Sequence, residues 1–245
     1  MSNQWYNFNE ETDLPYIFGL DNNQSMIKIP QESFVVHKDA LDGFSFFLDE
    51  IRNAGFQYKI ISTLRTFEHQ KKIWEAKVLG DRPIMDKQGS KPIQNVQELT
   101  PNEVLWSILR YSALPGLSRH HWGSEMDIVA VKENAIMPKK IELTPAEFAP
   151  DGPFYDFSLF LRDFTSSQIG HQFFRPYITP LRPAYLGPEP WHISYRPLSE
   201  EIYRNFRYDY AQDFLLSKIK EGTLLADEIA KELHRIYRYC FLLGS

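Results

Sequence analysis

The stretch SRHHWGSEMD, Ser118 to Asp127, sets two adjacent histidines and two acids around one glycine. A second stretch, PEPWHIS at 188–194, places Glu189 three residues before His192, with Pro190 stiffening the link. Imidazole and carboxylate are ligands of a catalytic zinc, which takes three side chains from the protein and keeps a fourth position for water. Gly123 lets the backbone fold back between a ligand in the loop and another in the strand that follows. Glu125 and Asp127 alternate along that strand and point the same way. A bound metal lowers the pKa of its water, and a nearby carboxylate that is not a ligand takes the proton. These residues describe a candidate mononuclear metal hydrolase. The choice of ligands among His120, His121, Glu125, Asp127 and His192 stays open on chemistry alone. The chain lacks H-E-x-x-H, G-x-x-x-x-G-K-[ST] and G-x-S-x-G. That removes the zincin, P-loop and α/β-hydrolase readings.

The elements that must position these groups are legible in part. Leu41, Phe44, Leu48 and Ile51 fall at helical spacing, and Gly55 follows as a C-cap. FQYKIIST (56–63) is short and β-branched and reads as a strand. A helix follows, with Thr66 as N-cap, Phe67, Trp74 and Val78 along one face, and Gly80 at its end. Arg65 therefore sits at a strand-to-helix junction. Residues 81–99 form a long polar loop of the kind that is often functional. Thr100, Pro101 and Glu103 spell a capping box for the next helix. MDIVAV (126–131) and the region of WHISY read as strands, and 154–174 as helical. Residues 1–30 read as an irregular arm. From Ser199 the pattern becomes two amphipathic helices, roughly 199–221 and from Thr223 onward. The expected division is an arm at 1–30, a catalytic domain at 31–198 and a helical extension at 199–245 packed on it. Tyr203, Phe206, Tyr210 and Phe214 of that extension form a stripe that reads as packing.

The chain has 245 residues, 43% of them hydrophobic, enough for a proper core. Its net charge of −5 argues against a nucleic-acid partner, which calls for a basic footprint. No stretch of about 18 apolar residues exists, so no transmembrane helix is expected. The start, MSNQWYNFNEETDLPY, lacks the basic and apolar regions of a secretory signal. Cys240 is the one cysteine, so no intrachain disulfide forms, and it reads as core.

Three motifs carry a family resemblance. PGLSRHHWGSEMDI resembles the S-x-H-(x)6-D motif of the VanY-type zinc D-alanyl-D-alanine carboxypeptidases, which share a fold with the hedgehog signalling domain. EPWHISY resembles their E-x-W-H motif. STLRTFEHQ is similar to their Ser–x–x–Arg–Ser/Thr element followed by Gln. The motifs occur in the family's order within 62–195, somewhat over half of the chain. The resemblance implies an α+β fold, with a small, mainly antiparallel sheet flanked by helices. It implies one Zn2+ per chain on His120, Asp127 and His192, with Glu189 as general base. Arg65 would bind or polarise the substrate, Ser118 and Gln70 would hold the peptide, and Trp191 would wall the pocket.

Two positions depart from the family pattern. Glu125 replaces a small residue, and Arg119 replaces an acid. Both are expected to flank the cleft and bear on specificity, and Arg119 joins Arg65 as a candidate anchor for a substrate carboxylate. His121 is expected to line the cleft or support the site from behind. The implied substrate is a peptidoglycan stem peptide cleaved by a D,D-carboxypeptidase. An L,D-carboxypeptidase, a D,D-dipeptidase, an endopeptidase and a non-catalytic zinc-stabilised binding module are the alternatives. The implied place of action is the periplasm or cell envelope if an export signal has been trimmed, and the cytoplasm otherwise.

Overall fold

The computed structural model describes residues 10–21, 25–179, 181–205 and 208–241. In chain order the elements are α1 (Glu10–Ile17), β1 (Met26–Lys28), β2 (Val35–His37), α2 (Leu41–Asn53), β3 (Phe56–Ser62), α3 (Phe67–Val78) and α4 (Pro101–Leu109). They continue with β4 (Glu125–Lys132), α5 (Tyr155–Ser166), β5 (Phe173–Phe174), β6 (His192–Tyr195), α6 (Arg196–Asn205), α7 (Tyr208–Lys220) and α8 (Ala226–Ile236). The main sheet runs β3-β4-β6-β5, and β1 pairs with β2 in a second small sheet. All four strand pairings are antiparallel. With helices packed on it, this is the α+β architecture expected.

Apolar faces of α2 and α5 cover the sheet. α2 buries Phe44, Phe47, Leu48 and Ile51, the i, i+3, i+4, i+7 set of an amphipathic helix. Phe47 meets Phe173 at 5.2 Å and Phe164 of α5 at 5.3 Å between ring centroids. β4 is buried at every position before Lys132. A central strand covered on both faces tolerates acids only where they are paired, so Glu125 and Asp127 at its start demand partners.

Several boundaries differ from the sequence reading. Part of the arm at 1–30 is a helix rather than irregular chain, and Leu14, Ile17 and Phe18 beside it are buried. Eight residues with an internal Pro15 carry no local helix signal, so tertiary packing stabilises α1. Tyr16 contributes by donating its hydroxyl to the Trp122 carbonyl at 2.6 Å. The helix expected over 154–174 stops at Ser166, because Ser167 turns extended and the chain folds back over the helix end. Gly170 permits this, since a Cβ there would lie 2.0 Å from the Phe164 carbonyl oxygen.

The tail forms α6 and α7, separated by residues outside the description, and then α8, which starts three residues later than expected. Phe206 of the aromatic stripe lies outside the described residues. Phe214 stacks on Phe18 at 5.5 Å. Ile229, Leu233 and Ile236 of α8 are buried in the same core as the sheet. Trp74 of α3 donates its indole N–H to the Leu224 carbonyl at 3.0 Å.

Candidate active site

The site forms where three chain segments meet at the ends of β3, β4 and β6. Asp127 on β4 pairs with His192 on β6, and Glu125 pairs with Ser194. Side chains two apart on a strand share a face, so both acids of β4 reach the ring of His192. His120 arrives on a 3-10 turn, Arg119–Trp122, that ends at Gly123 with φ +68. A Cβ on Gly123 would lie 2.7 Å from the backbone nitrogen of His37, so both the turn and its close approach to β2 require glycine. A register shift in β3 between Ile60 and Ser62, opposite Asp127, is a bulge. It re-aims the strand end that carries Ser62, Thr63 and Arg65 toward the site.

His120, Asp127 and His192 present ligand atoms that all lie within 4.8 Å of one another, and all three residues are buried. His120 Nε2 is 3.2 Å from Asp127 Oδ2, and His192 Nδ1 is 3.1 Å from Asp127 Oδ1. Tetrahedral zinc with bonds of about 2.0–2.2 Å sets its ligand atoms about 3.3–3.6 Å apart, a spacing compatible with these separations to the two oxygens of Asp127. Asp127 Oδ1 and His192 Nδ1 are buried and have no hydrogen-bond partner. Buried polar atoms left unsatisfied are rare, and a metal satisfies both.

The outward nitrogens are fixed as a metal site needs them. His120 Nδ1 donates to the Thr63 carbonyl at 2.6 Å, and His192 Nε2 donates to Glu125 Oε2 at 2.7 Å. Partners of this kind fix tautomer and ring orientation. Burial lowers the His192 pKa, but the nearby carboxylates of Asp127 and Glu125 outweigh it and raise it to about 9. The two carboxylates thus favour positive charge at this spot. The residues present fit a zinc ion.

Glu189 projects beside the cluster, with Oε2 3.6 Å from His192 Nδ1. Burial pushes its carboxyl up to about 7. Tyr177 packs edge-on against the His192 ring at 4.7 Å, and its carbonyl accepts from the Glu189 backbone N–H at 3.3 Å. Sequence reasoning missed Tyr177, because it lies in a proline-rich segment without periodicity or motif. Arg65 donates from all three of its nitrogens: Nε to Ser62 Oγ at 2.8 Å, Nη1 to Gln70 Oε1 at 3.4 Å and Nη2 to Asp127 Oδ2 at 2.5 Å. Gln70 is fully buried and donates to the Ala113 carbonyl, so it orients Arg65. Trp191 and Ser118 are buried and line the cavity over the site.

Arg119 and Glu125 are placed differently from the expectation. Neither is among the residues lining the cavity. Arg119 Nη2 reaches Glu125 Oε1 at 3.1 Å and Ser194 Oγ at 2.9 Å, and the guanidinium lies over the Trp122 and Phe174 rings. The two departures from the family pattern are therefore one feature, a buried ion pair behind His192. His121 is likewise structural. Its Nε2 accepts from Gly116 N–H at 3.0 Å, its Nδ1 donates to the Arg65 carbonyl at 2.7 Å, and burial first lowers its pKa to about 3.

The cavity has a volume of about 440 Å³. Its walls include Arg82, Met85 and Gly89 from the long loop, and Ile236, Cys240 and Phe241 from the tail. Both segments that the motifs do not cover therefore shape the cleft.

A buried His–Asp–His cluster with a separate cavity-facing carboxylate is the arrangement of a mononuclear metallopeptidase. The profile of the VanY family, described as D-alanyl-D-alanine carboxypeptidase, matches residues 33–198, and the chain belongs to that family. An uncharacterized protein of Haemophilus influenzae is 36% identical over 124 residues, which are 49% of this chain and 86% of that protein. Among solved structures, VanYB in complex with D-alanine-D-alanine is 19% identical, with a TM-score of 0.47 over 75% of this chain and 86% of that one. The LdcB LD-carboxypeptidase is 18% identical, with a TM-score of 0.47 over 76% of each chain. Among the described residues no helix is long and apolar enough to cross a membrane.

Proposed function

We propose that this protein is a zinc-dependent D-alanyl-D-alanine carboxypeptidase acting on peptidoglycan stem peptides. The observation that carries the reading is the convergence of His120, Asp127 and His192 with two orphaned ligand atoms, beside a carboxylate that makes no salt bridge to a lysine or arginine among the described residues. When bound, zinc supplies a Lewis acid and lowers the pKa of the water in its open position. Glu189 takes the proton of the attacking water and delivers it to the leaving amine. Arg65, fixed by Ser62, Gln70 and Asp127, presents positive charge where the carbonyl oxygen becomes anionic. Tyr177 packs on the His192 ring, and Trp191 walls the cavity beside it.

The test is Glu189→Ala in the full chain, assayed on a stem pentapeptide by mass spectrometry. The wild type should release one alanine. The variant should lose activity by about 100-fold or more while holding as much zinc as the wild type. Undiminished release of alanine overturns the mechanism. His192→Ala should in turn bring zinc content close to zero.

A further inference from the structure

A carboxypeptidase substrate brings a free carboxylate into the cleft, and a cation must receive it there. Neither of the two arginines that the motifs suggest is left for it, since one does not line the cavity and the proposed mechanism gives the other to the oxyanion. Arg119 is buried on Glu125 and Ser194. Arg65 donates from every nitrogen and shares its charge with Asp127 at 2.5 Å.

Two other cations line the same cavity. Lys77 stands in the last turn of α3, and Arg82 follows four residues after the helix. Among the described residues, neither has a carboxylate within 4.0 Å, the distance that defines the protein's other ion pairs. Glu142, which also lines the cavity, is paired with Lys140 at 2.5 Å. Lys77 is half-buried, and its pKa is lowered to about 8 by burial first and by the charge of Arg82 next. Glu189, which lines the same cavity, acts on it with the opposite sign. Two cations that line one cavity without a carboxylate at ion-pairing distance leave an electrostatic demand that an entering anion meets.

We infer that Lys77 and Arg82 form a carboxylate subsite that anchors the peptide substrate. The inference rests on the proposed peptidase reading. The anchored group is either the terminal carboxylate of the leaving residue or a side-chain carboxylate further up the stem.

The test measures binding apart from turnover. Calorimetry on zinc-loaded Glu189→Ala protein compares a diacetylated lysyl-D-alanyl-D-alanine peptide with its C-terminal amide, and a second pair carries a glutamate side chain upstream. Adding Lys77→Met or Arg82→Met should weaken binding of the free acid by roughly 10-fold to 100-fold and leave the amide unchanged. Loss confined to the glutamate-bearing pair, acid and amide alike, supports the subsite with the side-chain carboxylate as its ligand. Lys77→Arg should retain most of the affinity, which separates charge from fold. Equal affinities with and without the cations, or equal losses for peptides lacking any carboxylate, overturn the inference. Wild-type protein that binds these peptides in this pattern but never cleaves them refutes the peptidase reading and leaves the subsite standing.

Discussion

Replacing Glu125 with alanine removes the acceptor of Arg119 Nη2, Ser124 Oγ, Ser194 Oγ and His192 Nε2 at once. Glu125 is fully buried and Arg119 nearly so. Deleting one partner of a buried ion pair leaves an uncompensated charge and costs about 3–5 kcal/mol. For a chain of this length each kcal/mol moves the melting temperature by about 2–4 °C, so Glu125→Ala should melt about 6–20 °C lower. The His192 ring also loses the carboxylate that fixes its tautomer, which should weaken zinc binding by about 10-fold to 100-fold. Adding Arg119→Met removes the stranded charge. The double variant should recover most of the melting temperature but none of the zinc affinity. Thermal melts followed by circular dichroism and zinc competition with a chelating dye read the two effects separately. A single variant that melts within about 2 °C of wild type refutes the reasoning, and so does a double variant no more stable than the single.

The pH dependence of stability should carry a signature of His121. Its folded pKa of about 3 lies below the ordinary value of 6.5, so the unfolded chain binds the extra proton. Its contribution is therefore complete above pH 6.5 and is lost as pH falls from there toward 3, at about 1.4 kcal/mol per pH unit. Denaturant titrations of His121→Leu should show an acid slope shallower by one proton, and an unchanged slope contradicts this. Gly123→Ala should lower stability by more than about 1 kcal/mol and loosen zinc, because φ +68 and the 2.7 Å approach to His37 both exclude a Cβ. Parallel melts and zinc titrations check it. Activity should fall as pH drops through about 7, where Glu189 gains its proton, or lower where a cation's field pulls that value down. The same acid limb persisting in the residual activity of Glu189→Gln would count against Glu189 as the base.

The parts of the site legible in sequence were those written in local chemistry. The capping box at Thr100, the N-cap at Thr66 and the strand after Gly123 follow from neighbours in the chain, and the structure contains them. The shared direction of Glu125 and Asp127 also followed, from strand alternation alone. Other features depend on partners distant in sequence. The pairing of Arg119 with Glu125 requires knowing that a 3-10 turn puts Arg119 behind β6 rather than over the cleft. Tyr177 meets the site from a segment that no period describes, and Lys77 from a helix whose polar face carries no signal of what it will line. α1 exists because the core accepts Leu14, Ile17 and Phe18, not because EETDLPYI favours a helix.

The acids around the cluster differ in how their charge is met. Glu125 is answered by Arg119 and Asp127 by Arg65, each at hydrogen-bonding distance. Glu189 has no such arginine, and burial holds its carboxyl near neutrality. It is thus the acid whose ionisation responds most to a cation placed among His120, Asp127 and His192, since opposite charge within a few ångströms favours the ionised form. On the proposed mechanism the zinc ligands are held by fixed partners, while the base is left to respond. An additional arginine on Glu189 would ionise it permanently but weaken it as a proton acceptor, because a base works best when its pKa lies near the working pH. The buried pair at Arg119 and Glu125 fits the same logic, since it keeps the guanidinium occupied and out of reach of Glu189.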